Sequence, residues 1–203
     1  LHLEFHLAAL SFRDRAERAG LAVCLPPFEP PGDAGACETE FAALFNPLLF
    51  SQGVTPVPCD VALAEFETTT LLTGPNSGGK TRLLQALGLA QLLGQSGMFV
   101  PARAARLPLR EGLFVSLIQE SAADQPEGRL GMELLRIRRL FEELGFNELV
   151  IMDELCSGTN PSEGEEIFQL VVGLLAELEP QAFITTHFLQ FAARLARERS
   201  LPG

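Results

Sequence analysis

The feature that most constrains the fold is a glycine-rich segment that begins at Gly74 and ends at Thr81. It matches the phosphate-binding pattern G-x-x-x-x-G-K-[ST]. An apolar, β-branched run at 68–72 precedes it, and a run rich in Leu, Ala and Gln follows at 81–95, which predicts a strand, a loop and a helix in that order. Such a loop turns backbone N–H groups around a polyphosphate, and the helix N-terminus adds its positive dipole end. The alternative is a chance glycine-rich turn before a helix.

The residue types of this loop predict a nucleotide site for ATP and Mg²⁺. Lys80 is expected to reach the β- and γ-phosphates as a point charge, and the hydroxyl of Thr81 is expected to bind Mg²⁺. The predicted phosphate-binding residues are Gly74, Pro75, Asn76, Ser77, Gly78, Gly79, Lys80 and Thr81.

Composition limits the partners that the chain binds by itself. A chain of 203 residues that is 47% hydrophobic can bury the core of one good-sized domain. Its formal net charge of −11 argues against a basic DNA-binding module, so DNA is expected to be contacted locally or through parts of a larger protein outside this chain. The four cysteines form no C-x-x-C pair, which favours reduced thiols in the cytoplasm. No signal peptide is recognised and no apolar run reaches the ~18 residues of a membrane span, so no membrane partner is expected.

The chain is expected to have three parts. Residues 1–25 are predicted to be a helix at the end of a helical region, with Gly20 as its C-cap, and the proline-rich residues 26–40 are predicted to be a linker. Residues 41–203 are predicted to form the main domain. It opens with short apolar pieces at 41–50 and 54–63, which suggest edge strands and turns because prolines interrupt them.

The remainder alternates between predicted strands and helices. Strands are expected at 68–72, 113–118, 148–153 and 182–186, and helices at 81–95, 131–144, 162–178 and from 188 onward. A capping box formed by Ser162 and Glu165 is predicted to open the third of these helices. Alternation of this kind predicts an α/β fold with a mainly parallel sheet flanked by helices.

A pair of carboxylates follows the most apolar of these strands. Four apolar residues, 149–152, precede Asp153 and Glu154, and parallel sheets place ligand sites at the carboxyl ends of their strands. Asp153 is predicted to hold Mg²⁺, and Glu154 to orient or deprotonate the water that attacks the γ-phosphate. An ordinary strand that ends in acidic residues is the alternative.

Two further polar residues follow predicted strands. His187 follows the strand at 182–186 and is expected to sense the γ-phosphate, although a lone histidine is often structural. Gln119 follows the strand at 113–118, where it either reaches Mg²⁺ or the attacking water, or is a solvated polar residue.

Together these segments resemble the ATPase domain of the MutS DNA mismatch-repair proteins, over about residues 45–189. The resemblance is carried by Thr73-Gly74-Pro75-Asn76, Gly78-Gly79-Lys80-Thr81, Gly97-Met98-Phe99-Val100-Pro101-Ala102, Asp153-Glu154-Leu155, Gly158-Thr159 and Thr185-Thr186-His187-Phe188, with Asn46-Pro47-Leu48-Leu49 and Val57-Pro58-Cys59-Asp60 upstream. One further run resembles the corresponding segment in the branch of MutS homologues that is associated with suppressing recombination: Asn160-Pro161-Ser162-Glu163-Gly164.

The resemblance implies a P-loop NTPase of the ABC-ATPase type, which works as a homodimer with nucleotide between its subunits. By matching position, Asn76, Lys80 and Thr81 would bind phosphate and Mg²⁺, and His187 would be the switch. The initial helix would be a short appendage that ends the family's helical core.

One departure from the family pattern leaves two functions open. The family's serine that reaches the partner's γ-phosphate corresponds to Leu130 in this sequence. The first hypothesis is an Mg²⁺-dependent ATPase whose nucleotide state controls dimerisation and DNA handling. The second is an ATP-binding switch with little turnover. A transporter-type ABC ATPase is disfavoured because no Leu-Ser-Gly-Gly-Gln-like segment precedes Asp153.

Overall fold

A computed structural model describes residues 2–29, 39–63, 69–75, 78–117, 128–145, 147–156 and 160–199. The chain divides into two compact units. The first contains residues 1–66 and 82–110, and the second contains residues 67–81 and 111–203. Each unit combines two separate stretches of the chain, so this division does not test the boundaries predicted near residues 25 and 40, which stay predictions.

Helices and strands alternate along most of the chain. In order they are α1 (His2–Arg18), β1 (Phe28–Glu29), β2 (Thr39–Leu44), α2 (Pro47–Ser51), β3 (Cys59–Leu63), β4 (Thr69–Leu72), α3 (Lys80–Gln95), β5 (Ala104–Pro108), β6 (Gly112–Ser116), α4 (Gly128–Glu143), β7 (Glu148–Met152), α5 (Pro161–Leu178), β8 (Gln181–Thr185) and α6 (Leu189–Arg199). Within the described ranges, no helix is long and apolar enough to cross a bilayer.

The first unit contains a mixed sheet with the strand order β1-β5-β2-β3. Strand β5 runs parallel to β1 and antiparallel to β2, and β2 is antiparallel to β3. The sequence did not predict β1 or β5, because each is short and finds its partners far along the chain. A small cluster in which Ala16, Leu21 and Phe45 are buried lies in this unit.

Helix α1 ends as its glycine predicts, but earlier than residue 25. Gly20 adopts φ +75°, its N–H donates to the carbonyl of Glu17 at 3.0 Å, and the N–H of Leu21 donates to the carbonyl of Ala16 at 2.9 Å. This pair of bonds is the Schellman arrangement, which satisfies carbonyls at a helix end and requires a left-handed residue.

The prediction of edge strands and turns across 41–50 is wrong in its second half, where α2 forms. The side-chain oxygen of Asn46 accepts from the N–H groups of Leu48 and Leu49, at 2.9 and 3.0 Å. Pro47 occupies the first turn, where its missing N–H costs nothing. Asn-Pro is therefore a helix start in this chain.

The second unit is built on a four-stranded sheet in the order β4-β8-β7-β6. All three strand pairs are parallel, which confirms the predicted α/β fold with a parallel sheet. Helices α4, α5 and α6 contribute Leu140, Phe168 and Phe191 to the core cluster that packs with alternate residues of β7 and β8. The strands thus form the rigid base from which the following loops project.

The predicted capping box at Ser162 and Glu165 is wrong, because α5 begins one residue earlier. Asn160 is the N-cap, and its side-chain oxygen accepts from the N–H of Ser162 at 3.2 Å and from its hydroxyl at 2.9 Å. Pro161 fills the first helical position. The pair Asn160-Pro161, rather than Ser162, therefore determines where α5 begins.

Candidate nucleotide site

The loop between β4 and α3 has the backbone shape that its glycines permit. Gly74 adopts φ +146° and Gly79 φ +82°, conformations that residues with a side chain rarely adopt. Between them, the N–H of Gly78 donates to the carbonyl of Pro75 at 2.9 Å. Gly79 directly precedes the first residue of α3, Lys80.

Lys80 folds back over this loop. Its Nζ donates to the carbonyls of Gly74 and Pro75, at 2.9 and 3.0 Å, and the residue is only 9% exposed. A lysine ammonium has three donors, so within the described residues one remains for an anion. Lys80 is also the only lysine of the chain.

Thr81 and Asp153 meet although 72 positions separate them: the hydroxyl of Thr81 donates to Oδ2 of Asp153 at 2.7 Å. The strand registers explain the meeting, since Leu72 is aligned with Thr185 across one pair and Met152 with Ile184 across the other. The residues that follow these strands therefore lie at the same edge of the sheet.

A second hydroxyl, that of Thr185, joins the two predicted carboxylate positions. It donates to Oδ1 of Asp153 at 2.6 Å and accepts from the backbone N–H of Glu154 at 2.6 Å. Thr185 is fully buried, and Asp153 is nearly so. Each carboxylate oxygen of Asp153 thus accepts a hydrogen bond from a different threonine hydroxyl.

The turn after β7 has an uncommon backbone. Glu154 adopts φ +47° and Cys156 φ +61°, left-handed values that are costly for residues other than glycine. Three contacts hold the turn: the N–H of Asp153 donates to the carbonyl of Ser116 at 2.9 Å, Glu154 is bonded to Thr185, and the N–H of Cys156 donates to Oε1 of Glu133 at 2.7 Å. Glu154 is half-buried.

The thiol of Cys156 is held in its neutral form. Burial raises its pKa from the ordinary 9.0 to about 12, and the negative charge of Glu133 adds to the increase. The thiol beside the carboxylate pair is therefore no nucleophile at neutral pH.

Of the remaining predicted site residues, His187 is described, and it takes no part in the hydrogen bonds around Asp153. His187 follows β8 and is exposed, its ring packs on that of Phe188 with centroids 4.2 Å apart, and its imidazole makes no hydrogen bond within the described residues. Asn76, Ser77 and Gln119 lie outside the described residues, as do Gly158 and Thr159.

Two residues of the site, Thr185 and Glu133, were not assigned any role from the sequence. Thr185 belongs to a strand in which every residue is buried, so a polar residue at its carboxyl end was an available signal. Glu133 lies on α4 among other charged residues and carried no such signal.

The donor set fits a magnesium ion better than a softer metal. The described part of the chain contains no group of three or more His, Cys, Asp and Glu side chains that could hold a metal. Thr81 and Asp153 instead supply a hydroxyl and a carboxylate, and Mg²⁺ is bound in proteins through few oxygen ligands with phosphates and waters completing its shell.

Comparison with known proteins points in the same direction. The family model described as MutS domain V matches residues 70–201. A protein named Endonuclease MutS2 from Thermus thermophilus is 39% identical over 126 residues, which cover 62% of this chain and 17% of the relative. Proteins of the same name from Alkaliphilus metalliredigens and Thermomicrobium roseum are 35% and 33% identical over 144 and 135 residues, which cover 70% and 66% of this chain. In each case the match spans 17–18% of the relative's length.

Proposed function

Because this chain belongs to the MutS family, whose domain V it carries, we propose that it binds and hydrolyses ATP with Mg²⁺. The observation that carries the proposal is the 2.7 Å bond between Thr81 and Asp153. It links the end of the phosphate-binding pattern to the acidic pair across 72 positions, in a family whose members use ATP.

The binding role rests on the loop at 74–81. Its backbone N–H groups and the ammonium of Lys80 would receive the polyphosphate, and the helix dipole of α3 favours negative charge at the same point. Thr81 and Asp153 would hold Mg²⁺, with Gln119 as a further ligand. When bound, the ion neutralises charge on the phosphate oxygens.

The hydrolytic role falls to Glu154. Its carboxylate would accept a proton from the attacking water and orient that water in line with the γ-phosphate. The position of Glu154, which is half-buried and so still reached by water, and its backbone N–H held by Thr185 support this role. His187, directly after β8, would sense the γ-phosphate as a switch.

At the level of the whole protein, we propose an ABC-type domain that works as a homodimer with nucleotide between its subunits. Nucleotide state would change the dimer contacts and thereby the grip of DNA-binding parts outside this chain, in mismatch repair or recombination control. The MutS family membership and the larger size of the relatives support this proposal.

An ATP-binding switch with little turnover is the second candidate. It is favoured by Leu130, a half-buried apolar residue in the first turn of α4 at the position of the family's serine. A missing contact across the dimer would slow hydrolysis and leave binding intact.

The two candidates are separated by measuring ATP turnover against protein concentration in the presence of Mg²⁺. Specific activity is expected to rise with concentration and to fall at least about 100-fold in Lys80→Ala and Glu154→Gln, because each removes a group that acts on the phosphates or on the water. Glu166→Gln, an identical change at an exposed position of α5, is the matched control and keeps full activity.

Binding is followed independently in the same samples. Since Lys80 is the only lysine, an amine-reactive reagent modifies this side chain and the terminal amine alone, and MgATP is expected to slow modification of Lys80. If MgATP protects Lys80 but no ATP is hydrolysed at any protein concentration, the ATP-binding switch is the correct function and the ATPase is not. Absence of both would contradict the proposal altogether.

A further inference from the structure

We propose that the hydroxyl of Thr185 is a positioning group that fixes the carboxylate of Asp153 and the backbone of Glu154 relative to each other. Its consequence for catalysis rests on the proposed ATPase function. The contact itself is a property of the folded chain and is tested without nucleotide.

The geometry uses both capacities of a single hydroxyl. Thr185 donates to Oδ1 of Asp153 and accepts from the N–H of Glu154, each at 2.6 Å. A hydroxyl has one proton to donate, so these two partners fix its orientation. The residue is fully buried, so water does not compete for either bond.

The turn that Thr185 contacts needs such a restraint. Glu154 and Cys156 both adopt left-handed backbone conformations, at φ +47° and +61°. Residues persist in such conformations only where surrounding contacts determine them. The N–H of Cys156 is held from α4 by Glu133, and the N–H of Glu154 is held from β8 by Thr185.

The two threonines that contact Asp153 have different duties. Thr81 would turn its hydroxyl oxygen toward Mg²⁺, whereas Thr185 is bonded on its other side to Glu154. The bond from Thr185 therefore remains to orient the carboxylate when the metal binds. Strand β8 is itself paired on both sides, to β4 and β7, so it provides a fixed support.

The test compares substitutions that separate the hydroxyl from the shape of the side chain. Thr185→Val removes the hydroxyl and keeps the branched shape, Thr185→Ser keeps the hydroxyl, and Thr185→Cys replaces the oxygen of serine by a weakly bonding sulfur. Thr69→Val is the matched control: it is the same change at a buried position of β4, aligned with Ala182 at the opposite end of β8.

Three quantities are measured on the whole chain: amide hydrogen exchange of the peptide that contains 153–156 without nucleotide, the increase in ATP affinity caused by Mg²⁺, and turnover. In Thr185→Val and Thr185→Cys we expect exchange to be about tenfold faster, and the Mg²⁺-dependent increase and turnover about tenfold smaller, because a bond to a charged group is lost. Thr185→Ser and Thr69→Val are expected to stay within about twofold of the parent.

Several results would overturn the proposal. If the valine and cysteine variants match the serine variant, the hydroxyl is not needed. If all three are equally impaired, restoring the hydroxyl as serine does not restore the measured values, and the proposal fails. If the valine variant does not fold, the comparison of Thr185→Ser with Thr185→Cys tests the role of the hydroxyl by itself. A parent chain without turnover or nucleotide binding would refute the ATPase function, while the exchange rates would still decide the role of Thr185.

Discussion

Cys156 illustrates how one residue near the site is kept out of its chemistry. The thiol is buried, and its pKa is raised to about 12 by burial and by Glu133. Because the thiolate is the reactive form, Cys156 stays inert. Partial burial and Asp60 also raise the pKa of Cys59, but its thiol is exposed and therefore accessible to a reagent.

This difference predicts a pattern of alkylation and of stability. With iodoacetamide at pH 8, Cys59 is expected to be modified in the folded chain and Cys156 only after unfolding. Since the folded pKa lies above the unfolded value of 9.0, the stabilisation is complete below pH 9 and is lost between pH 9 and about 12. The urea midpoint should therefore fall more steeply across that window in the parent than in Cys156→Ala. Equal alkylation rates for Cys59 and Cys156 in the folded chain would contradict this account.

At this scale the sequence was informative where chemistry is local. The glycines and Lys80 occupy one continuous segment, and a pattern of eight residues identifies them. Thr185 was given no role of its own, although it is a polar residue at the end of a buried strand, because its two partners lie 32 and 31 positions away in the sequence. A buried hydroxyl becomes interpretable only when the strand register is known.

Among the secondary-structure elements, α2 is the one most dependent on a single side chain. Asn46 caps its N-terminus and also donates through Nδ2 to the carbonyl of Arg82 at 2.7 Å and to Oε1 of Gln85 at 3.2 Å. The side chain of Asn46 itself is buried, at 5% exposure, so it makes these bonds with little competition from water.

Asn46→Ala is accordingly expected to lower the free energy of unfolding by about 2–3 kcal/mol, the sum of a lost cap and of the lost bonds that the buried amide donates to Arg82 and Gln85. Asn160→Ala, at the exposed cap of α5, is expected to cost only about 1 kcal/mol. Asn46→Asp keeps the capping oxygen but sets a second acceptor against the carbonyl of Arg82 and Oε1 of Gln85, so it is expected to restore little of the lost stability. Equal urea midpoints for the two alanine variants would show that the buried amide contributes nothing.

The elements also show why some of the fold escapes sequence patterns. Strands β7 and β8 were predicted because they are short, buried apolar runs between helices. Strand β5 contains an arginine and a proline, and its partners β1 and β2 precede it by 60 positions or more. Its existence depends on long-range pairing rather than on its own composition.

At the scale of the whole molecule, the net charge determines how the chain interacts with charged partners. The formal net charge of −11 predicts repulsion from a polyanion. DNA is therefore expected to contact parts of the parent protein outside this chain.

A mobility-shift measurement with duplex DNA checks this expectation. At 150 mM salt and micromolar protein, the chain alone is expected to leave the duplex unshifted, with or without MgATP, since too few phosphates would be neutralised to release counterions. A basic protein of similar size serves as the positive control. A shift whose affinity falls steeply with salt would instead reveal a local basic surface.

Strand β8 is the last strand of the described chain, yet it lies between β4 and β7. During translation the ribosome releases the phosphate-binding loop first and the acidic pair some 70 residues later, but both must wait for residues 181–185 before their strands are bridged. A nascent chain that stops short of Thr185 has every residue of the loop and of the acidic pair, and lacks the strand that brings them together. The order of synthesis is thus expected to delay assembly of the proposed nucleotide site until this part of the sheet is complete.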